Sequence, residues 1–291
     1  MKSKIAILCI AHTIDENFRL LMNHLLTYFD IFVHFDKKNE GKFKNEIEDF
    51  KRKGIHFVQD NIRVYWGANS QIIAEYKLFC TASEYSDYSY YLLISGVDFP
   101  IKSNQEIINF FEKNKDKTYI ESVKLPSSNW DWNGGLDRVQ RYWLTEFDNR
   151  FYTKLFGRLL LLIQKILFIK RKSYFKEYYG GANWGNFSES AVKFILNYVK
   201  ENSGVLESFK YTRAADEIWK QTILNLSDEE IIYDSLRFID WVSGPTYPKV
   251  LDENDFDALT HSSALFARKM SGQDTSLQKL LLNSFVSKCK L

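Results

Sequence analysis

Short apolar runs alternate with amphipathic stretches through the first half of the chain. Ile5–Ala11 is apolar at every position, the pattern of a strand buried on both faces. Residues 18–27 carry apolar side chains at helical spacing, and 31–35 is a second apolar run of strand length. The same reading predicts a helix over 43–53, a short strand over 56–58 and a helix over 70–83. It continues with a strand at Tyr90–Ser95, a helix at Asn104–Lys113 capped by Ser103, and a strand over 118–123. Strands alternating with helices predict a mostly parallel sheet covered on both faces. The second half is less regular, with helices expected over 188–199, 215–226 and 276–286. One stretch, 155–169, is almost wholly apolar and runs into Lys170-Arg171-Lys172. It is too short and too interrupted to span a bilayer. On a helical wheel Lys154, Arg158, Lys165 and Lys172 form one stripe, as on a helix lying in a membrane interface. A helix packed on the domain and a dimer contact are the other two readings.

Composition narrows the class. With 291 residues, 45% of them hydrophobic, and only 13 Gly and 4 Pro, the chain has material for a sizeable core and is not disordered. The 39 basic and 37 acidic residues leave a net charge of +2, which excludes a general nucleic-acid binder. Aromatics reach 16%, a surplus that suits stacking on sugars or bases as well as packing. Cys9, Cys80 and Cys289 are far apart and form no CxxC, so neither a disulfide framework nor a zinc site follows. So sparse a count fits a reducing cytoplasm. The first apolar run meets His12, Asp15 and Glu16 with no small-x-small cleavage site, which reads as a first strand rather than a signal peptide.

In parallel α/β sheets, ligands bind outside the carboxyl ends of the strands. Three segments fall there: VHFDKK (33–38), RVYWGANS (63–70) and ISGVDFPIKS (94–103). Asp36 and Asp98 could accept hydrogen bonds from ribose, base or sugar hydroxyls, and Tyr65 or Trp66 could stack on a base. Taken singly, each is as readily a turn or a cap. Neither GxGxxG nor GxxxxGK[ST] occurs, so the common dinucleotide and P-loop readings lack support.

Together the segments VHFDKK, RVYWGANSQIIAE and YYLLISGVDFPIKSNQEI resemble the core-2/I-branching family of glycosyltransferases. The later blocks GGANWGNFSESAVKFIL, AADEIWKQTIL, RFIDW and LFARKM follow in the family's order, so the resemblance covers about 5–270. It implies a GT-A fold, an α/β sandwich of Rossmann type, over 1–270, with a nucleotide-binding half to about 125 and an acceptor half after it. Residues 154–172 would then be an amphipathic insertion, and 271–291 a C-terminal helix. The resemblance also implies an inverting reaction that takes a sugar from a UDP-sugar without a divalent metal. The donor sugar would be N-acetylglucosamine, with xylose or another hexose as alternatives. The lone Asp-x-Asp, Asp255-Phe256-Asp257, lies late and reads as an acidic helix start, in keeping with a metal-free site.

Residue by residue, the resemblance makes Glu217 the catalytic base and Lys269 a cation on the leaving diphosphate. Lys249 stands near the family's other cation, an Arg in animal enzymes, and Arg268 is a further candidate. His34, Asp36, Tyr65 and Asp98 would shape the donor site. Trp241 matches an aromatic lining the acceptor, while the family's second aromatic is Ser243 here. Arg138, Arg141 and Trp184 would contact the acceptor or line its side, as could Trp130 and Trp132, and the Gly180-Gly181 pair would let backbone approach the donor. In the animal enzymes the resemblance implies an anchor, a stem and many disulfides, and with three scattered cysteines and a first strand so early none of these is expected here. The expected setting is therefore a bacterial cytoplasmic enzyme, peripheral at the inner membrane face. It would build surface polysaccharide on a glycan or lipid-linked glycan acceptor, without nucleic acid as a partner. A non-catalytic carbohydrate-binding protein on the same fold is the rival; it would need neither Glu217 nor Lys269.

Overall fold

The computed structural model describes residues 3–146, 150–243 and 248–288, with side chains of 150–154 and 287–288 excepted. Its strands are β1 (Ile5–Ala11), β2 (Asp30–Phe35), β3 (His56–Phe57), β4 (Tyr90–Ser95), β5 (Phe99–Pro100) and β6 (Lys117–Ile120). They continue with β7 (Val123–Lys124), β8 (Tyr179–Gly180), β9 (Gly185–Ser188), β10 (Glu230–Ile232), β11 (Arg237–Ile239) and β12 (Phe266–Arg268). Seven form the central sheet, in the order β10-β6-β9-β4-β1-β2-β3. Only β9 runs against its neighbours β4 and β6. This is the expected Rossmann-like, mostly parallel α/β sheet flanked by helices.

The unbroken apolar run of β1 has a direct cause. Ile5, Ile7 and Cys9 enter one core with helices Glu16–Leu25, Lys44–Arg52 and Asn104–Lys113, while Ala6 and Leu8 enter a second core with helices Asn69–Tyr85 and Glu189–Glu201. A strand covered on both faces has no polar side to show. Leu277, Leu281 and Phe285 of the C-terminal helix Ser276–Lys288 belong to the first core. Helix Asn104–Lys113 begins with the expected Ser103 cap, closed into a capping box by Glu106. The late acidic triplet is a helix start as expected: Asp252 caps the 3₁₀ turn Glu253–Asp255, and helix Phe256–His261 follows.

Two expected elements differ. The strand over 118–123 stops at Ile120, and β7 instead pairs with β8. The helix over 215–226 is broken into a 3₁₀ turn, Ala215–Glu217, and helix Trp219–Leu224. The Glu217 carbonyl accepts the Gly181 N–H at 2.9 Å instead of continuing a helical ladder, and Ile218 leaves helical geometry at φ −130°. A second, three-stranded sheet, β11-β12-β5, carries β12 antiparallel to β5 beside the end of β4.

Candidate active site

Parallel strands β1, β2 and β4 end side by side. The Asp36 N–H donates to the Ala11 carbonyl at 2.8 Å and the Gly96 N–H to that of Ile10 at 3.0 Å. Asp36 Oδ1 accepts the N–H groups of Lys38 at 2.9 Å and Val64 at 3.3 Å, so it ties the β2 end to the loop before helix Asn69–Tyr85. Lys38 Nζ lies 3.7 Å from Asp36 Oδ2 and 4.4 Å from the Tyr65 ring centre. Asp36, Lys38 and Tyr65 thus form one cluster at the sheet edge, with Trp66 exposed beside them. His34 does not join it. Its side chain is fully buried, Nε2 accepts the Ile62 N–H at 3.2 Å, and burial pushes the imidazole down to about 4. It braces the loop from beneath and has no surface for a donor.

Across the crevice, Asp98 is fully buried and also faces no ligand. It accepts the Ser95 N–H at 2.7 Å and the Ser95 hydroxyl at 2.9 Å, and it lies 3.3 Å from Arg268 Nε. The sequence expectation gave Asp98 to the donor; the structure gives it to Arg268. The Arg268 guanidinium also lies 4.3 Å from the Trp184 ring centre. Trp184, expected on the acceptor side, is therefore the wall behind this cation. Burial lowers the Arg268 pKa, Asp98 opposes that shift, and the field of Asp216 reaches the same guanidinium. Lys269 follows at the end of β12. The Lys249 and Lys269 backbones are bonded, Lys269 N–H to Lys249 carbonyl at 3.4 Å. The Lys249 ammonium is held by Asp255 at 2.8 Å, which raises its pKa. The structure thus gathers Arg268, Lys269 and Lys249 at one edge.

Glu217 ends the 3₁₀ turn, and its side chain is 34% exposed. Its Oε2 accepts from Arg138 Nη1 at 2.6 Å, and that guanidinium stacks 4.3 Å from the Trp130 ring centre. Arg138 is thus at the candidate base, whereas Arg141 is not. Arg141 is buried, donates to the carbonyls of Gln164 and Ile169, and fastens the 150–169 segment to the body. Trp241 is 63% exposed on a turn in which Asp240 Oδ1 accepts the N–H groups of Val242 and Ser243. An exposed ring of this kind suits the C–H face of a sugar.

Two contacts hold the Glu217 turn in place. The Ala214 N–H donates to the Gly67 carbonyl at 2.8 Å, and a side chain on Gly67 (φ +66°) would meet the Ala214 backbone. On the other side sits the Gly180-Gly181 pair. A Cβ on Gly180 would lie 2.5 Å from the Trp130 ring and one on Gly181 1.9 Å from the Glu121 carbonyl. The pair is needed for close approach within the protein, which corrects its expected approach to the donor.

Behind the turn lies a buried polar group that motif reading missed. Lys220 and Glu75, both fully buried, form an ion pair. Lys220 also donates to Asn183 Oδ1 at 2.6 Å and to the Asp216 carbonyl at 3.1 Å, and Trp219 Nε1 donates to Glu75 at 2.8 Å. Gln71 donates to Asp216 Oδ2 at 3.0 Å. Burial, with Glu217 and Glu75 adding repulsion, pushes the Asp216 carboxyl up to about 8. A lysine four residues after Asp216, at helical spacing from it, was the available signal. Among the described residues no group of three or more His, Cys, Asp or Glu could hold a metal ion.

Strand-end loops, a cation edge and a partly exposed carboxylate on the Ala215–Glu217 turn make up the candidate site of this α/β protein. The chain belongs to the core-2/I-branching enzyme family, matched over residues 22–260. Among curated proteins it is similar to xylosyltransferase 2 of Rattus norvegicus, 22% identical over 223 residues, 72% of this chain and 23% of that protein. Xylosyltransferase 2 of Homo sapiens is 22% identical over 222 residues, with the same coverage. The chain spans about a quarter of the length of these relatives. Among solved structures, S. aureus TarS 1–349 aligns at 11% identity and TM-score 0.38, over 89% of this chain and 63% of that one. HddC from Yersinia pseudotuberculosis, complexed with GMP-PN, aligns at 12% identity and TM-score 0.31, over 65% and 78%.

Proposed function

We propose that this chain is a glycosyltransferase that moves a sugar from a UDP-sugar to a glycan hydroxyl with inversion. The observation that carries the reading is the Glu217 carboxylate, held half-exposed by Arg138. Asp216 of the same turn is held by Lys220, and its charge acts on the Arg268 guanidinium. In the proposed step Glu217 takes the proton of the acceptor hydroxyl. The acceptor oxygen forms a bond to C1 of the donor sugar as the C1–O bond to the diphosphate breaks. The departing UDP carries the bonding pair, and Arg268 and Lys269 stabilise its charge, with Lys249 beside them. These side chains take the part a divalent metal plays elsewhere, so turnover is expected to persist in EDTA. Asp36, Lys38 and Tyr65 flank the nucleotide, and Trp241 offers a face to the acceptor sugar.

The family and its xylosyltransferase relatives support transfer of a sugar. For the particular sugar we favour N-acetylglucosamine, with xylose as the alternative, and surface-polysaccharide synthesis as the setting. Glu217→Gln tests the core of the reading. It should lower turnover by about 10² to 10⁴-fold, the usual worth of a general base, while calorimetry finds UDP binding unchanged. Wild-type turnover in that variant would remove Glu217 from the mechanism. Sugar binding with no turnover from any UDP-sugar by the wild-type chain would favour the carbohydrate-binding rival.

A further inference from the structure

Helix Arg150–Ile166 meets the body through one narrow face. Gly157 sits against the Trp143 ring, Leu161 is buried, and Gln164 both donates to and accepts from the Tyr142 backbone. At about 100° per residue the opposite face carries Leu155, Leu159, Leu162 and Ile166. These are 53%, 53%, 55% and 64% exposed, and Leu167 and Phe168 beyond them are 61% and 88% exposed. So much clustered apolar surface marks an interaction site.

Charge identifies the occupant. Residues 151–176 hold seven Lys or Arg and no Asp or Glu. Arg158 is exposed on one flank of the apolar face, and Lys170 and Lys172 are exposed beyond its end. Two copies meeting through this face would bring like charges together, which opposes association. Beside the helix, Arg158 and Arg213 line a small cleft with Trp132 and Trp143. The Arg213 guanidinium lies 5.5 and 5.2 Å from those two ring centres. Among the described residues neither arginine forms a salt bridge, although the charge of Glu217 reaches Arg213. No helix among the described residues is long and apolar enough to cross a membrane.

We propose that this face lies in the interface of an anionic lipid bilayer, with the Arg158–Arg213 cleft taking a headgroup phosphate at its margin. Leucine and isoleucine side chains enter the acyl boundary, and the exposed Arg158, Lys170 and Lys172 stay at the phosphates, while Lys165 and Arg171 are held by the body. The face stands on the acceptor side of the molecule. Lys165 pairs with Asp137 at 2.9 Å, and the next residue, Arg138, touches Glu217. A glycan carried on a lipid in that bilayer would therefore reach the candidate base from the membrane.

Sedimentation of the full chain with vesicles tests this without donor or acceptor, so its outcome is independent of the catalytic reading. The chain should pellet with phosphatidylcholine vesicles that contain phosphatidylglycerol, less with phosphatidylcholine alone, and less as salt is raised. The variant L159E/L162E/I166E should lose at least about tenfold in binding, its fold checked by circular dichroism. Should it fail to fold, R158A/K170A/K172A serves instead, with about a fivefold loss per charge removed. Absence of binding to anionic vesicles, or unchanged binding in these variants, overturns the proposal. A dimer that L159E/L162E/I166E converts to monomer, with vesicle binding unaffected, would assign the face to a second copy.

Discussion

Arg268 acts as a leaving-group cation only if its guanidinium is held at the crevice, and Asp98 is what holds it. Asp98 is fully buried, and its carboxylate makes three interactions, two with Ser95 and one with Arg268. Asp98→Asn keeps an acceptor for the Ser95 N–H but removes the charge opposite Arg268. Breaking one side of a buried pair costs about 3–5 kcal/mol, because the other charge stays buried and uncompensated. Urea unfolding should show a loss of that size. UDP affinity should fall by roughly tenfold as Arg268 loses its anchor. Wild-type values for both would mean that Asp98 does not position Arg268. Sequence patterning located Asp98 and His34 at strand ends, where ligand contacts arise. It could not show that both are sealed beneath the crevice, because burial at a strand end depends on which later segment covers it. For Asp98 that segment is 266–270, some 170 residues on, whose Met270 N–H bonds the Val97 carbonyl.

At the scale of elements, the Glu217 turn is set by a contact from outside its own segment. The Gly181 N–H takes the Glu217 carbonyl, and Gly181 itself fits only because it lacks a Cβ that would lie 1.9 Å from the Glu121 carbonyl. Gly181→Ala must therefore displace backbone, not the tip of a flexible side chain. Overpacking of this kind costs about 1–3 kcal/mol. The displacement passes to Glu217, so kcat should fall more than KM rises. Gly41→Ala, where a Cβ meets nothing within 4 Å, should change neither stability nor activity. Equal behaviour of the two variants in thermal melts would show that the Gly181 contact is relaxed in solution. The same bond explains what was legible. Tyr90–Ser95 and Asn104–Lys113 were readable to the residue because their apolar pattern and caps are local. The break at Ile218 was not, since residues 215–226 alone satisfy a helical pattern and the competing donor is Gly181. The antiparallel β9, Gly185-Asn186-Phe187-Ser188, escaped for a related reason. Its polar side chains read as loop, and burial of Asn186 is made possible by the Ser235 carbonyl, which accepts from its Nδ2 at 3.1 Å.

Over the whole molecule these buried groups set the pH of greatest stability. His24 and His34 are both pushed down to about 4, in each case chiefly by burial. Between pH 6.5 and 4 the unfolded chain binds protons at both imidazoles that the folded chain refuses. Stability contributed by the pair is therefore present above the unfolded value and lost as pH falls through that window. At about 1.4 kcal/mol per unit, each histidine accounts for roughly 3 kcal/mol. Asp216 works in the opposite sense. Its carboxyl is raised to about 8, so the folded chain holds a proton that the unfolded chain releases near 4. That contribution is present at low pH and lost as pH rises toward 8. From 4 to 6.5 the unfolded chain thus gains two protons against one on the folded chain, and stability climbs with pH. From 6.5 to 8 only the Asp216 proton remains, and stability declines. Thermal melts at close pH intervals should therefore show a maximum near 6.5. His24→Gln should flatten the acid limb, and Asp216→Asn the alkaline one. An alkaline limb unchanged in Asp216→Asn would mean that Asp216 is ionised in the folded protein at neutral pH. The Arg268 edge would then face a second carboxylate charge alongside that of Asp98, and UDP binding should strengthen when that charge is removed.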